Sequence, residues 1–116
     1  IDKYHKEIAK IMEGELLDIK LIDKTDIKNQ NPKNPAYKRY FMHGTSHHLG
    51  LDVHDVGNFY EDVKAGNVFT IEPGIYIKEE SLGIRLEDDI LVGNNNNINL
   101  MEKIPIQPEE IEDIMN

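Results

Sequence analysis

Four of the chain's five histidines fall within residues 43–55, in the run His43-Gly-Thr-Ser-His47-His48-Leu-Gly50-Leu-Asp52-Val-His54-Asp55. Two acidic, strand-like segments follow, Val68-Phe-Thr-Ile-Glu72-Pro-Gly-Ile-Tyr-Ile77 and Gly83-Ile-Arg85-Leu-Glu87-Asp-Asp-Ile-Leu-Val92. Imidazole is the commonest side-chain metal ligand, and carboxylates suit manganese, magnesium and calcium as well as zinc. Glutamates set among apolar strand residues are costly to bury without a cation or a positive partner. A histidine cluster followed by such glutamates is a metal-site signal.

The elements that must position these groups are strands. Side chains alternate faces along a strand, so Thr70 and Glu72 oppose Phe69 and Ile71, while Arg85, Glu87 and Asp89 oppose Ile84 and Leu86. Two neighbouring strands could then aim Glu72 and Glu87 at one point. Periodicity alone favours an ordinary sheet with one wet face. The four histidines shift that balance toward chemistry. His43 and His47 are four apart but lack the glutamate of a helical zinc motif, and Gly44 and Gly50 disfavour a helix there.

With 116 residues the chain is one domain at most. It begins with Ile1 rather than Met, which suggests a fragment or a processed product, and it contains no run of membrane-spanning length. The absence of cysteine excludes disulfides, thiolate zinc sites and a cysteine nucleophile, and is compatible with a cytoplasmic protein. A formal net charge of -9 argues against nonspecific binding to nucleic acid or anionic membranes. Most of that acidity reads as a solvated surface.

Along the chain, Tyr4, Ile8, Ile11 and Met12 form one apolar stripe of a first helix. Asp23 to Lys38, with its asparagines and prolines, reads as an exposed loop. From Arg39 the texture changes to short strands, with Asn67 to Glu72 and Ile75 to Ile77 separated by a Pro73-Gly74 turn, and Gly83 to Val92 as a third. Asn94 to Asn97 reads as a solvent loop. Pro108 opens a final helix, Glu109 to Met115, with acidic residues at its N-terminus.

The histidine run, Phe69-Thr-Ile-Glu72-Pro-Gly-Ile-Tyr76, and Gly83-Ile-Arg85-Leu-Glu87-Asp-Asp-Ile-Leu-Val92 together closely resemble aminopeptidase P, the Xaa-Pro aminopeptidase branch of the pita-bread metallopeptidases. The three blocks match in order and spacing, from roughly the first helix to the last. The resemblance implies an α+β fold with a curved, mostly antiparallel sheet and flanking helices. It implies that His47, Glu72 and Glu87 are metal ligands, with Glu87 bridging two ions, usually manganese, zinc or cobalt being possible. By the same carry-over His43 and His54 line the substrate site, Glu72 also assists proton transfer, and Arg85 steadies the acidic ligands from behind. His48 falls where the motif varies. Asp52 and Asp55 are expected to hold the loop by hydrogen bonds and not to bind metal.

The implied reaction is hydrolysis of an N-terminal Xaa-Pro bond by a metal-bridged hydroxide, on a peptide with proline at its second position. The intact enzyme is expected to be a homo-oligomer, with no nucleic-acid or membrane partner. The family's site also needs two aspartates from an earlier strand pair. Asp2, Asp18, Asp23 and Asp26 do not fit that pattern. Residues 1–116 are therefore expected to be the C-terminal half of the catalytic domain and inactive alone. A prolidase acting on Xaa-Pro dipeptides is the near alternative, and a noncatalytic pita-bread binding module the distant one.

Overall fold

Residues 2–18 form a helix because their long-chain and apolar residues propagate one and nothing interrupts it: α1, Asp2–Asp18. The computed structural model describes residues 2–58 and 60–116. Within α1 the buried line is Met12 and Leu16, one turn apart, with Leu16 at 0% exposure. Ile11 departs from the expected stripe and is 57% exposed. A residue adjacent to Met12 is turned by about 100° from it, and the helix buries one narrow strip.

The C-terminus of α1 closes as a Schellman motif. Leu21 N–H donates to the Leu16 carbonyl at 2.9 Å and Lys20 N–H to the Leu17 carbonyl at 3.1 Å. Lys20 takes the left-handed conformation there, with φ 62. The turn carries Ile22 into the core at 2% exposure, with its N–H donating to the Leu16 carbonyl at 3.3 Å.

Asp23 to Lys38 is not simply loop. It contains α2, Lys24–Asn29, and a 3-10 turn, Ala36–Arg39. A reciprocal capping box creates α2: Asp23 Oδ1 accepts from the Thr25 and Asp26 N–H groups at 2.7 and 2.8 Å, and Asp26 Oδ2 accepts from Asp23 N–H at 3.0 Å. That acceptance from Asp23 holds the Asp26 carboxyl below its usual range, against desolvation and with help from Arg39. The polar composition concealed this short helix.

The strands are β1, Val68–Ile71; β2, Gly74–Ile77; β3, Leu82–Arg85; β4, Asp88–Leu91; and β5, Ile98–Asn99. They form a three-stranded antiparallel sheet ordered β1-β4-β5 and an antiparallel β2-β3 hairpin. The expected single strand from Gly83 to Val92 is thus two strands. Its halves pair with different partners, so the ladder breaks at Leu86 and Glu87. Tyr40 to Met42 is not a strand, although the Tyr40 carbonyl accepts from Tyr76 N–H at 2.9 Å. Asn94 to Asn97 is exposed, and the final helix is α3, Pro108–Met115, with proline in its first turn.

By internal contacts the chain comprises two compact units. One, Ile1–Thr45 with Pro73–Arg85, holds α1, α2 and the β2-β3 hairpin, and buries Met12, Leu16, Ile22 and Phe41. The other, Ser46–Glu72 with Leu86–Asn116, holds the three-stranded sheet and α3, and buries Phe69 and Thr70. No described helix is long and apolar enough to cross a membrane.

Candidate metal centre

The last pair of the β1-β4 ladder is Ile71 opposite Asp88. One residue further along each segment stand Glu72 and Glu87, so two carboxylates close the end of one ladder. Directly opposed like charges are destabilising unless something positive lies between them.

His47 reaches the same end through backbone pairing with β1. Its N–H donates to Thr70 Oγ1 at 3.1 Å, and Thr70 N–H donates to the His47 carbonyl at 3.1 Å. The next residue, His48, bridges to Phe69, against whose ring its imidazole packs at 4.5 Å. Thr70 is 1% exposed, so this clamp is buried. Thr70 and Glu72 are two apart, and anchoring His47 alongside Thr70 sets its ring next to Glu72.

His47 Nε2 lies 3.3 Å from Glu72 Oε1, with the side chains only 15% and 14% exposed. His47 Nδ1 sits 2.9 Å from the His48 carbonyl. A carbonyl only accepts, so Nδ1 carries a proton, and in the neutral tautomer the Nε2 lone pair is the one turned toward Glu72. Two acceptors then face each other, an arrangement that a cation or an added proton between them relieves.

One ligand atom from each of His47, Glu72 and Glu87 lies within 4.8 Å of the others. Ligand bonds near 2 Å allow two atoms on one ion to be up to about 4 Å apart, so a contraction of under about 1 Å closes the set. One imidazole and two carboxylates suit a divalent ion such as manganese, zinc or cobalt. The residues present fit a metal. No other such cluster gathers among the described residues.

His54 is exposed and stacks on His47, with ring centroids 4.1 Å apart and planes at 11°. Its loop is fastened by Asp55, whose carboxylate accepts from Val56 N–H at 2.7 Å, Leu51 N–H at 2.7 Å and Asp52 N–H at 3.5 Å. The Val56 N–H, opposed by desolvation and joined by the Leu51 and Asp52 N–H groups, holds the Asp55 carboxyl below its ordinary value. Asp52 and Asp55 are not in the metal-ligand cluster.

His43 and Arg85 belong to the other unit. The His43 ring meets Phe41 and Tyr76 edge-on, at 5.6 and 5.4 Å. Arg85 ends β3 opposite Gly74 and is exposed.

Three contributors went unread in the sequence: the Thr70 hydroxyl, the His48 carbonyl and Tyr76. Alternation already put Thr70 on the face of Glu72. Nothing local to His48 or Tyr76 announces a hydrogen bond to a particular histidine.

An imidazole and two carboxylates at the end of an antiparallel ladder, in this α+β fold, form a candidate divalent-metal site. The chain belongs to metallopeptidase family M24, which residues 2–94 match. It is 40% identical to the Xaa-Pro aminopeptidase of Escherichia coli strain K12 over 121 aligned positions, covering 94% of this chain and 27% of that protein. Zinc-substituted E. coli aminopeptidase P in complex with product superposes with a TM-score of 0.77 at 38% identity, over 94% of this chain and 27% of that one. E. coli aminopeptidase P with the inhibitor Pro-Leu gives 0.76 at 38% identity, over the same shares of the two chains. The fold is therefore the pita-bread fold of aminopeptidase P. The chain spans about a quarter of the length of the relatives it matches.

Proposed function

We propose that this chain supplies part of the active site of an Xaa-Pro aminopeptidase, with His47, Glu72 and Glu87 as metal ligands. The observation that carries this is the convergence of the three ligand atoms within 4.8 Å, with the His47 proton held away on Nδ1. When bound, divalent metal would activate water and polarise the scissile carbonyl. By the family resemblance Glu87 would be shared between two such cations, manganese being the expected metal, and Glu72 would also relay a proton. His54 and His43 contact the peptide and move protons, and Arg85 steadies the acidic groups. The substrate is a peptide with proline at its second position.

The second cation of such a pair needs two further carboxylates, which this sequence does not supply in the family's pattern. On this reading residues 1–116 form the C-terminal half of a catalytic domain, bind one cation and do not cleave peptides alone. On the same reading the parent enzyme is a cytoplasmic homo-oligomer.

Calorimetric titration with Mn²⁺ and Zn²⁺ tests the ligand set. One equivalent should bind to the chain and none to His47→Ala. Equal binding by both would remove His47 from the site. Xaa-Pro cleavage by the purified chain alone would overturn the division of ligands.

A further inference from the structure

Tyr76 carries no role in the chemistry set out above, yet its hydroxyl lies 2.9 Å from His43 Nε2. The other ring nitrogen, Nδ1, lies 2.7 Å from the Gly44 carbonyl. Since that carbonyl accepts only, the neutral ring has its proton on Nδ1, and Nε2 is left as an acceptor. The Tyr76 hydroxyl must then be the donor.

We infer that Tyr76 is a positioning residue for His43, fixing the ring's orientation by donating to Nε2 while the Gly44 carbonyl fixes its tautomer. This rests on the proposal that His43 faces the peptide. With both nitrogens engaged, the ring cannot rotate without losing two hydrogen bonds, and a peptide reaches Nε2 only by displacing the tyrosine.

The surrounding sequence makes room for this contact. Gly83 is the cross-strand partner of Tyr76, and a Cβ there would lie 2.8 Å from Tyr76 Cδ1. A Cβ on Gly74 would lie 2.7 Å from the Tyr76 hydroxyl oxygen and 3.1 Å from His43 Nε2. Neither glycine has a positive φ, so close approach, not backbone conformation, is what calls for glycine at these positions. Tyr76 N–H also donates to the Tyr40 carbonyl at 2.9 Å, tying β2 to the segment that leads into His43. Backbone and side chain of one residue thus anchor the same stretch.

Long-range ¹H–¹⁵N imidazole correlation on the labelled full chain tests this, at pH about 8.5, above the ordinary imidazole range. His43 is assigned by the signals lost in His43→Gln. The wild type should show a protonated Nδ1 and an unprotonated Nε2 shifted upfield by the accepted hydrogen bond. In Tyr76→Phe, Nε2 should move downfield with Nδ1 unchanged. Gly83→Ala, which keeps the hydroxyl but displaces the ring, should give the same movement. A wild-type His43 protonated on Nε2 would overturn the inference without any variant, as would an unmoved Nε2 in a Tyr76→Phe chain whose amide spectrum is native. Neither result bears on metal binding at His47, so failure here is distinguishable from failure of the peptidase assignment.

Discussion

His47 and Thr70 hold each other through two hydrogen bonds: His47 N–H donates to Thr70 Oγ1, and Thr70 N–H donates to the His47 carbonyl, both at 3.1 Å. This pair joins the glycine-bounded histidine loop to β1, two residues from Glu72. The loop has no regular structure of its own to place an imidazole. A buried threonine on the neighbouring strand performs that task.

Thr70→Val should therefore do more than a surface change. It leaves the His47 N–H without its acceptor, and an unsatisfied buried donor costs about 1–3 kcal/mol. The chain should lose roughly that much stability in urea titration. Metal affinity should fall about 10-fold, as for loss of an outer-shell support. Unchanged affinity would show that the loop is placed without the threonine.

Metal binding should stabilise the chain through linkage. At a free Mn²⁺ concentration about 100 times Kd, the gain is about 2.7 kcal/mol. Differential scanning calorimetry should show a raised Tm that chelator returns to its starting value. Glu72→Gln should lose the increment, since the amide oxygen is a neutral and weaker ligand. An equal increment in the variant would mean the ion sits elsewhere.

Asp55 gives the loop an acid limit. Its folded carboxyl is held below the ordinary 3.8 by the Val56 N–H first, against desolvation, and by the Leu51 and Asp52 N–H groups. A depressed carboxyl contributes stability that is present above its unfolded pKa and lost as pH falls through the folded value. Protection of the Leu51 and Val56 amides, measured against their intrinsic exchange rates, should hold from neutral pH to about 4 and fall below it. Asp55→Asn should exchange faster at neutral pH and lack the acid transition. An unaltered exchange profile would assign the loop's order to other contacts.

Lys20 offers a local test of the fold. A lysine with φ 62 occupies the left-handed position of the Schellman motif, where glycine carries no Cβ penalty. Relief of about 1 kcal/mol, offset by glycine's greater unfolded entropy, should leave Lys20→Gly more stable by about 0.5 kcal/mol. Lys20→Ala should bring no gain. A destabilised glycine variant in urea titration would show that the lysine side chain supports this turn.

The sequence determined the local geometry and the candidates for chemistry. Alternation placed Thr70 and Glu72 on one face, the periodic apolar residues set α1, and Pro108 set the start of α3. The resemblance of three sequence blocks to aminopeptidase P marked out His47, Glu72 and Glu87 as metal-ligand candidates. Composition misled at Asp23, whose capping box makes a helix out of a polar segment, because a cap is a reciprocal pairing and not a tendency of single residues.

Only the tertiary structure decided which strand each glutamate sits beside. The segment from Gly83 to Val92 is continuous in pattern, yet its first half pairs with β2 and its second with β1. Periodicity specifies a face but not a partner, and register comes from contacts made far along the chain. The same holds for Tyr76 and His43, 33 residues apart, whose hydrogen bond exists because one strand pairing brings a hydroxyl to an imidazole across two glycines. It holds also for the 4.8 Å convergence of His47, Glu72 and Glu87, which the β1-β4 register and a buried threonine produce together.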